Sequence, residues 1–267
     1  PRFSWKLTDP KSTRGQKQTA YQIVVSASAG GGARRTALWD SGKVDSSTSV
    51  NVAYAGPALA SGQDCRWKVR VWDKDAKPTA WSPEARFSMG LLEPPDWRGE
   101  WIGCKQADNI KHIWYRKKFS LRERPGLAFV YLCSIGYHEL YVNGKRIGTS
   151  VLSPSVTNLT RRALYVTYDI TASLQKGDNV IAVWTGPGWA RASGSFKKPV
   201  WEQKSVFRCQ VNLSSGESLH SDSTWKCRIS SSENRGLWRG GGQGQYGGEI
   251  IDARRHVADW NACSCDD

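Results

Sequence analysis

The chain has 267 residues, 39% of them apolar and 23% charged, with 14 tryptophans, 26 glycines and a formal net charge of +14. That suits one large or two ordinary domains with aromatic-rich cores. No stretch approaches the ~20 apolar residues of a membrane-spanning helix, so no membrane partner is expected. The basic balance raises nucleic acid and acidic polysaccharide as partner classes. It is spread evenly, however: residues 1–90 hold 14 Lys/Arg against 7 Asp/Glu, and residues 91–267 hold 24 against 17. With no nucleic-acid motif beside the short basic clusters, the charge reads as solvated surface and no nucleic acid partner is expected.

The chain opens on a strand-like run, and an upstream segment, cleaved or left out, is expected before Pro1; a secreted or extracellular setting is favoured. Residues 1–90 read as about seven short strands with turn residues between them, among them Ala20–Ser26 and Ala85–Ser88. Arg66–Asp73 alternates cleanly, with Trp67, Val69 and Val71 on one side and Arg66, Lys68, Arg70 and Trp72 on the other. Seven strands in ninety residues predict an immunoglobulin-like sandwich. Residues 91–100, with the prolines of Leu91–Trp97, read as a linker.

From residue 101 to 267 a second all-β domain is expected. Its clearest element is Tyr131–Gly148, two strands running to a tight turn at Asn143-Gly144, the pair that best satisfies the positive φ angles of a type I′ turn. Tyr137, Glu139 and Tyr141 alternate with His138, Leu140 and Val142. Ala163–Trp184 reads as a second hairpin, turning at Gly177-Asp178. The seven cysteines are odd in number and match no zinc-module spacing, so no metal site is expected; Cys133 and Cys209 lie in apolar strand patterns and read as buried small hydrophobes.

Catalytic constellations are weak. Glycoside hydrolysis needs two carboxyl groups flanking the scissile bond, typically ~5–10 Å apart. The candidates are Glu139, Glu249 and Asp252, and pairing with nearby Lys or Arg, Arg254 in the case of Asp252, explains them without catalysis. No serine lies in a nucleophile-elbow setting, and Gly240–Gly244 lacks the Lys-Ser/Thr of a phosphate loop. No catalytic residue is therefore assigned. Carbohydrate binding is the better prospect. The loop Gly186-Pro187-Gly188-Trp189-Ala190-Arg191 offers an indole plate beside a guanidinium, and loops at sandwich ends carry binding sites. Trp189 could equally cap the core. Asn143, Pro187, Trp189 and Arg191 are the candidate sugar-binding residues.

Several motifs, in order, carry a resemblance. Residues 1–90, through Pro1–Trp5, Gln18–Val24, Leu38–Val44, Tyr54–Leu59, Arg66–Asp73 and Trp81-Ser82, resemble the fibronectin type III-like module at the front of bacterial α-L-rhamnosidases. Tyr115–Phe119, Gly136–Gly148, Leu152–Pro154, Thr167–Thr171, Gly186–Trp189 and Gly248–Arg254 resemble the jelly-roll module that follows it there. The resemblance implies an all-β fold, a fibronectin type III-like sandwich followed by a jelly-roll-like sandwich. It also implies that the chain stops short of a helical barrel carrying the catalytic acids, with Trp260–Asp267 inside a motif that continues in the family. The chain is then a non-catalytic accessory region of a protein that releases terminal α-L-rhamnose with inversion. Its implied partners are a rhamnose-bearing glycan and the catalytic domain of the same polypeptide. A free-standing lectin-like protein and a piece of an active enzyme are the alternatives. In some relatives the jelly-roll module binds rhamnose through calcium held by Asp and Asn oxygens. Here Thr149-Ser150 and Pro187 stand where such ligands are common, and no cofactor is expected.

Overall fold

The computed structural model describes residues 1–28, 35–107, 111–159, 161–188, 205–235 and 248–265, and every element there longer than a 3-10 turn is a strand. The chain divides into two compact units, Pro1–Asp96 and Trp97–Asp267.

The first unit contains β1 (Arg2–Phe3), β2 (Ala20–Ser28), β3 (Arg35–Asp40), β4 (Val44–Asp45), β5 (Val52–Ala53), β6 (Asp64–Trp72) and β7 (Ala85–Ser88). One sheet runs β3-β2-β6-β7, with β4 also on β2, and β1 pairs with β5 in a second ladder. Alternation along β6 turns Cys65 and Val69 onto Phe3, Ile23, Val25 and Val52, and Trp67 and Phe87 pack against this core. Phe3 is its centre, 4.6 Å from the Trp67 ring and 5.8 Å from Phe87. The buried amide of Gln18 accepts from Trp5 Nε1 at 2.9 Å and donates to the carbonyls of Ser46 and Thr48, tying three segments with one side chain.

The second unit contains β8 (Ile102–Gly103), β9 (Lys111–Leu121), β10 (Ala128–Ile135), β11 (Tyr137–Val142), β12 (Lys145–Ile147), β13 (Tyr165–Asp169), β14 (Gly177–Gly186), β15 (Val206–Leu213), β16 (Ser218–His220), β17 (Lys226–Arg235) and β18 (Gly248–Ile251). One sheet runs β13-β10-β15-β16 with β8 on β15; the other runs β12-β11-β14-β9-β17-β18. Between them lies a core that includes Tyr115, Val130, Leu132, Leu140, Phe207 and Cys209. Cys133 is buried as well. A C-terminal segment crosses the far face of the second sheet. Trp260 stacks on Trp114 at 4.9 Å and meets Tyr141 edge-on at 5.6 Å. Arg116 donates to the carbonyls of Cys265 and Ala262, which clasps the segment to β9.

The β11–β12 hairpin turns at Asn143-Gly144, both at positive φ (50° and 82°). The second expected hairpin does not form. β13 pairs with β10 in one sheet, and β14 pairs with β9 and β11 in the other. The cause lies between them: Ile170 and Leu174, on either side of a 3-10 turn at Thr171–Ser173, are both buried in the core. The connection is thus driven across the sandwich. Gly177 opens β14 rather than forming a hairpin tip.

Asn143 locks that crossing to the turn. Its Nδ2 donates to the Ser173 carbonyl and to Asn179 Oδ1, both at 2.9 Å, and its Oδ1 accepts from Val180 N at 2.8 Å. Asn179, fully buried, donates in turn to the carbonyls of Gln175 and Gly177. Asn143→Ala strips partners from a buried amide and a carbonyl, and we expect it to lower stability by about 2–3 kcal/mol, read from the denaturant midpoint.

A second polar group is buried at the start of β11. Ser134 Oγ donates its proton to the Gly136 carbonyl at 3.2 Å, so His138 Nδ1 donates to Ser134 Oγ (2.8 Å) and His138 Nε2 accepts from the Tyr168 hydroxyl (3.0 Å). Burial disfavours the imidazolium and pulls His138 down from 6.5 to about 3. The unfolded chain therefore takes up a proton between these values while the folded chain does not. Stability is full above pH 6.5 and falls as pH drops towards 3, by up to about 1.4 kcal/mol per pH unit. His138→Gln removes that titration. The stability advantage of the wild type over this variant should shrink between pH 7 and pH 4; an advantage constant with pH would refute the assignment.

Candidate functional site

β10 and β11 lie in different sheets, with Gly136 the single residue between them. It has φ 105°, and a Cβ there would fall 2.2 Å from the Gly186 carbonyl oxygen and 2.9 Å from that of Pro187. Only glycine lets the end of β14 come this close. Gly188, at φ 45°, likewise lies against Tyr137, whose ring a Cβ would meet at 2.5 Å. On the other side the 149–159 loop is held by His138 N donating to the Ser153 carbonyl at 2.8 Å. Together these segments leave a small open hollow of about 20 Å³, lined by residues that include Ser134, Tyr137, Pro154, Ser155, Thr157 and Leu164, so a sugar could rest only at its rim and not inside it. A half-buried tyrosine ring beside serine and threonine hydroxyls combines an apolar surface with hydrogen-bonding groups, the two kinds of contact a sugar ring can make. Val156, which also lines the hollow, is 53% exposed, and Val151 and Leu152 on the same loop are 71% and 67% exposed.

The four predicted sugar-binding residues fall in different places. Pro187 is buried at the groove end, its carbonyl against Gly136. Trp189 and Arg191 lie outside the described residues, on the continuation of the same segment. Asn143 stands at the opposite end of β11, about 20 Å away at the strand rise, with its amide engaged in the turn. Tyr137, Ser155 and Thr157 were not singled out from the sequence. Tyr137 carried a signal as one of the half-exposed positions of β11.

The candidate acids are each engaged locally. Glu139 accepts from the Tyr141 hydroxyl at 2.6 Å and pairs with Arg146 on the neighbouring β12 at 3.0 Å. Burial, then the Glu139 carboxylate, pushes the Tyr141 phenol far above its ordinary value. Glu249 lies 3.1 Å from His112 Nδ1, which also meets Ser232 Oγ at 2.8 Å. Asp252 caps the 3-10 turn Ala253–Arg255 through Arg254 N and takes both Nε and Nη2 of Arg254 at 2.9 Å. That guanidinium holds its carboxyl below the usual range.

Calcium needs six to eight oxygen ligands, carboxylates foremost. Among the described residues no three His, Cys, Asp or Glu converge on one point. The Ser150 carbonyl already accepts from Arg146 at 2.9 Å. The described residues do not fit the ion.

Comparison with known proteins agrees with this architecture. Residues 123–267 match the family model described as the α-L-rhamnosidase N-terminal domain, and residues 1–93 match the Rha78A-like N-terminal immunoglobulin domain. An α-L-rhamnosidase of Formosa agariphila is 33% identical over 289 aligned positions, which take in 100% of this chain and 30% of that protein. One from Alteromonas sp. (strain LOR) is 35% identical, covering 71% of this chain and 22% of its own length. The solved structure of an α-L-rhamnosidase from Dictyoglumus thermophilum superposes with a TM-score of 0.80 at 29% identity, over 99% of this chain and 30% of that one. A native enzyme from Aspergillus terreus gives 0.81 at 26%, over 100% and 30%. The chain spans at most about a third of the length of the curated relatives named here. By the match over 123–267, it belongs to the α-L-rhamnosidase N-terminal domain family.

Proposed function

We propose that this chain is the non-catalytic front region of an α-L-rhamnosidase-type protein, combining carbohydrate binding with support of a catalytic domain in the same polypeptide. The observation that carries the non-catalytic part is the engagement of all three candidate acids: Glu139 by Tyr141 and by Arg146 on the neighbouring β12, Asp252 by Arg254 within its own turn, and Glu249 by His112 from β9, two strands away. A hydrolase keeps one carboxyl free to protonate the leaving group and another to activate water or attack, facing each other across the bound sugar. Carboxylates already spent on Arg146, His112 and Arg254 are poor candidates for either task. The binding part rests on the Tyr137 groove, whose mixed apolar and hydroxyl lining suits a deoxy sugar with a methyl group and three hydroxyls. Support of a neighbouring domain rests on Val151 and Leu152, two adjacent exposed apolar side chains whose burial by another domain would be favourable.

Two measurements on the 267-residue chain test this. Incubated with 4-nitrophenyl α-L-rhamnoside it should release no nitrophenol above the blank; turnover abolished by Glu249→Gln or Glu139→Gln would overturn the non-catalytic reading. In calorimetric titration it should bind L-rhamnose equally with and without a chelator. Tyr137→Ala should weaken that binding roughly tenfold, equivalent to about 1.4 kcal/mol, while Tyr137→Phe keeps it. No heat from the wild-type chain, or a chelator that abolishes binding, would remove the groove as a sugar site.

A further inference from the structure

The outer face of β6 carries Arg66, Lys68, Arg70 and Trp72, the residues that alternate with its core-facing set. They form part of an ordered ladder. Lys43 Nζ sits 5.3 Å from the Trp72 ring, and the Arg70 guanidinium lies between Trp72 (5.1 Å) and Trp81 (4.8 Å). Lys68 Nζ covers Trp81 at 5.0 Å. Three cations are thus interleaved with two indoles. Cation–π contact fixes such groups in place without cancelling their charge.

Acids stand at the borders of this face, Asp64 two residues before Arg66 on the same side of β6 and Asp40 opposite Val24 on β3, but neither is paired with Arg66, Lys68 or Arg70. Opposite Arg70, Lys68 and Arg66 the neighbouring β2 places Gln22, Val24 and Ser26. Opposite Arg66 on the other side, β7 places Arg86, which is taken by Asp64. Among the described residues no carboxylate comes within ion-pair distance of Arg66, Lys68 or Arg70. Arg70 is steadied instead by Gln22, which itself donates to Asp40. Lys43, at the ladder's end, has a loose pair with the exposed Asp45 at 3.6 Å. Like charges on one strand face weaken a sheet unless something offsets them.

We infer that the outer face of β6 is a docking strip for a carboxylated polysaccharide, a chain of uronate sugars whose carboxylates meet Arg66, Lys68 and Arg70. These three recur every second residue along about 14 Å of strand. Nucleic acid fits less well. Single strands are held by stacking bases on free aromatic faces, and here both indoles are covered by cations. The choice of an acidic glycan over other polyanions rests on the glycan-directed reading above; the strip itself does not.

The test is affinity electrophoresis and titration of the whole chain against polygalacturonate, with a neutral galactan as control, from 20 to 300 mM salt. The wild-type chain should be retarded by polygalacturonate alone, with affinity falling steeply as salt rises. The double variant Arg66→Gln, Lys68→Gln should lose about tenfold in affinity and show a shallower salt slope. It should keep its melting temperature and its L-rhamnose titration, which separates failure here from failure of the Tyr137 site. A ladder that is only a structural clasp would give the reverse, a lowered melting temperature with retention unchanged. Equal retention by the neutral galactan, no retention of the wild-type chain at low salt, or tighter binding of single-stranded DNA than of polygalacturonate would each overturn the proposal.

Discussion

A single residue moves the second unit's chain from one sheet to the other. Gly136 follows a strand with all eight side chains buried and precedes one whose side chains alternate between core and surface. The change of sheet needs a positive φ, and the approach of the β14 end leaves no room for a Cβ. Both demands fall on one position, and only glycine meets both. The consequences extend outwards. Tyr137 emerges at the sandwich end because it is the first residue after the corner, and Gly188 can lie against its ring because the corner has drawn the 186–188 segment in. The groove is therefore a product of strand geometry rather than of loop length.

Buried polar groups reinforce the same geometry. Ser134, His138 and Tyr168 form a directional chain beginning two residues before the corner and reaching β13 in the other sheet. Asn143 and Asn179 do the equivalent work at the far end of β11, where the chain re-enters after crossing the core. Each network is closed, so each adds specificity without leaving an orphaned amide or imidazole. The strand between the two anchors is held at both ends, which suits an element that presents Tyr137 at a fixed position.

Much of this was legible in the residues. Asn143-Gly144 could only be a tight hairpin turn, and the alternation of Tyr137–Val142 and Arg66–Trp72 gave both faces of β11 and β6 correctly. The pairing of Asp252 with Arg254 was readable because the two are neighbours in sequence. What was not legible was the assignment of strands to sheets. Tyr131–Val142 reads as one apolar stretch, and nothing local says that Gly136 divides it. Ala163–Trp184 has the composition of a hairpin; only the burial of Ile170 and Leu174 in a shared core separates its strands. The groove suffered most, because it is assembled from Ser134–Tyr137, Pro154–Thr157 and Leu164, segments that sequence spacing does not connect. The ladder on β6 was half visible: the basic row was plain, whereas the arrival of Trp81 over Lys68 and Arg70 depends on how the chain folds back after β6.

The two surfaces use aromatic rings in opposite ways. At Tyr137 the half-buried ring stands at the edge of the hollow with serine and threonine hydroxyls around it, the surface proposed above for a neutral sugar. On β6 the indoles are already occupied by the protein's own cations, so what they offer outwards is charge held in register rather than a stacking face. Binding at the first, as proposed, would draw on desolvation of an apolar face and be little affected by salt; binding at the second would draw on Coulomb attraction and be screened. A polymer with neutral deoxy sugars and uronates along one chain would satisfy both. The difference in salt response is then the physical signature that tells which of the two surfaces holds it.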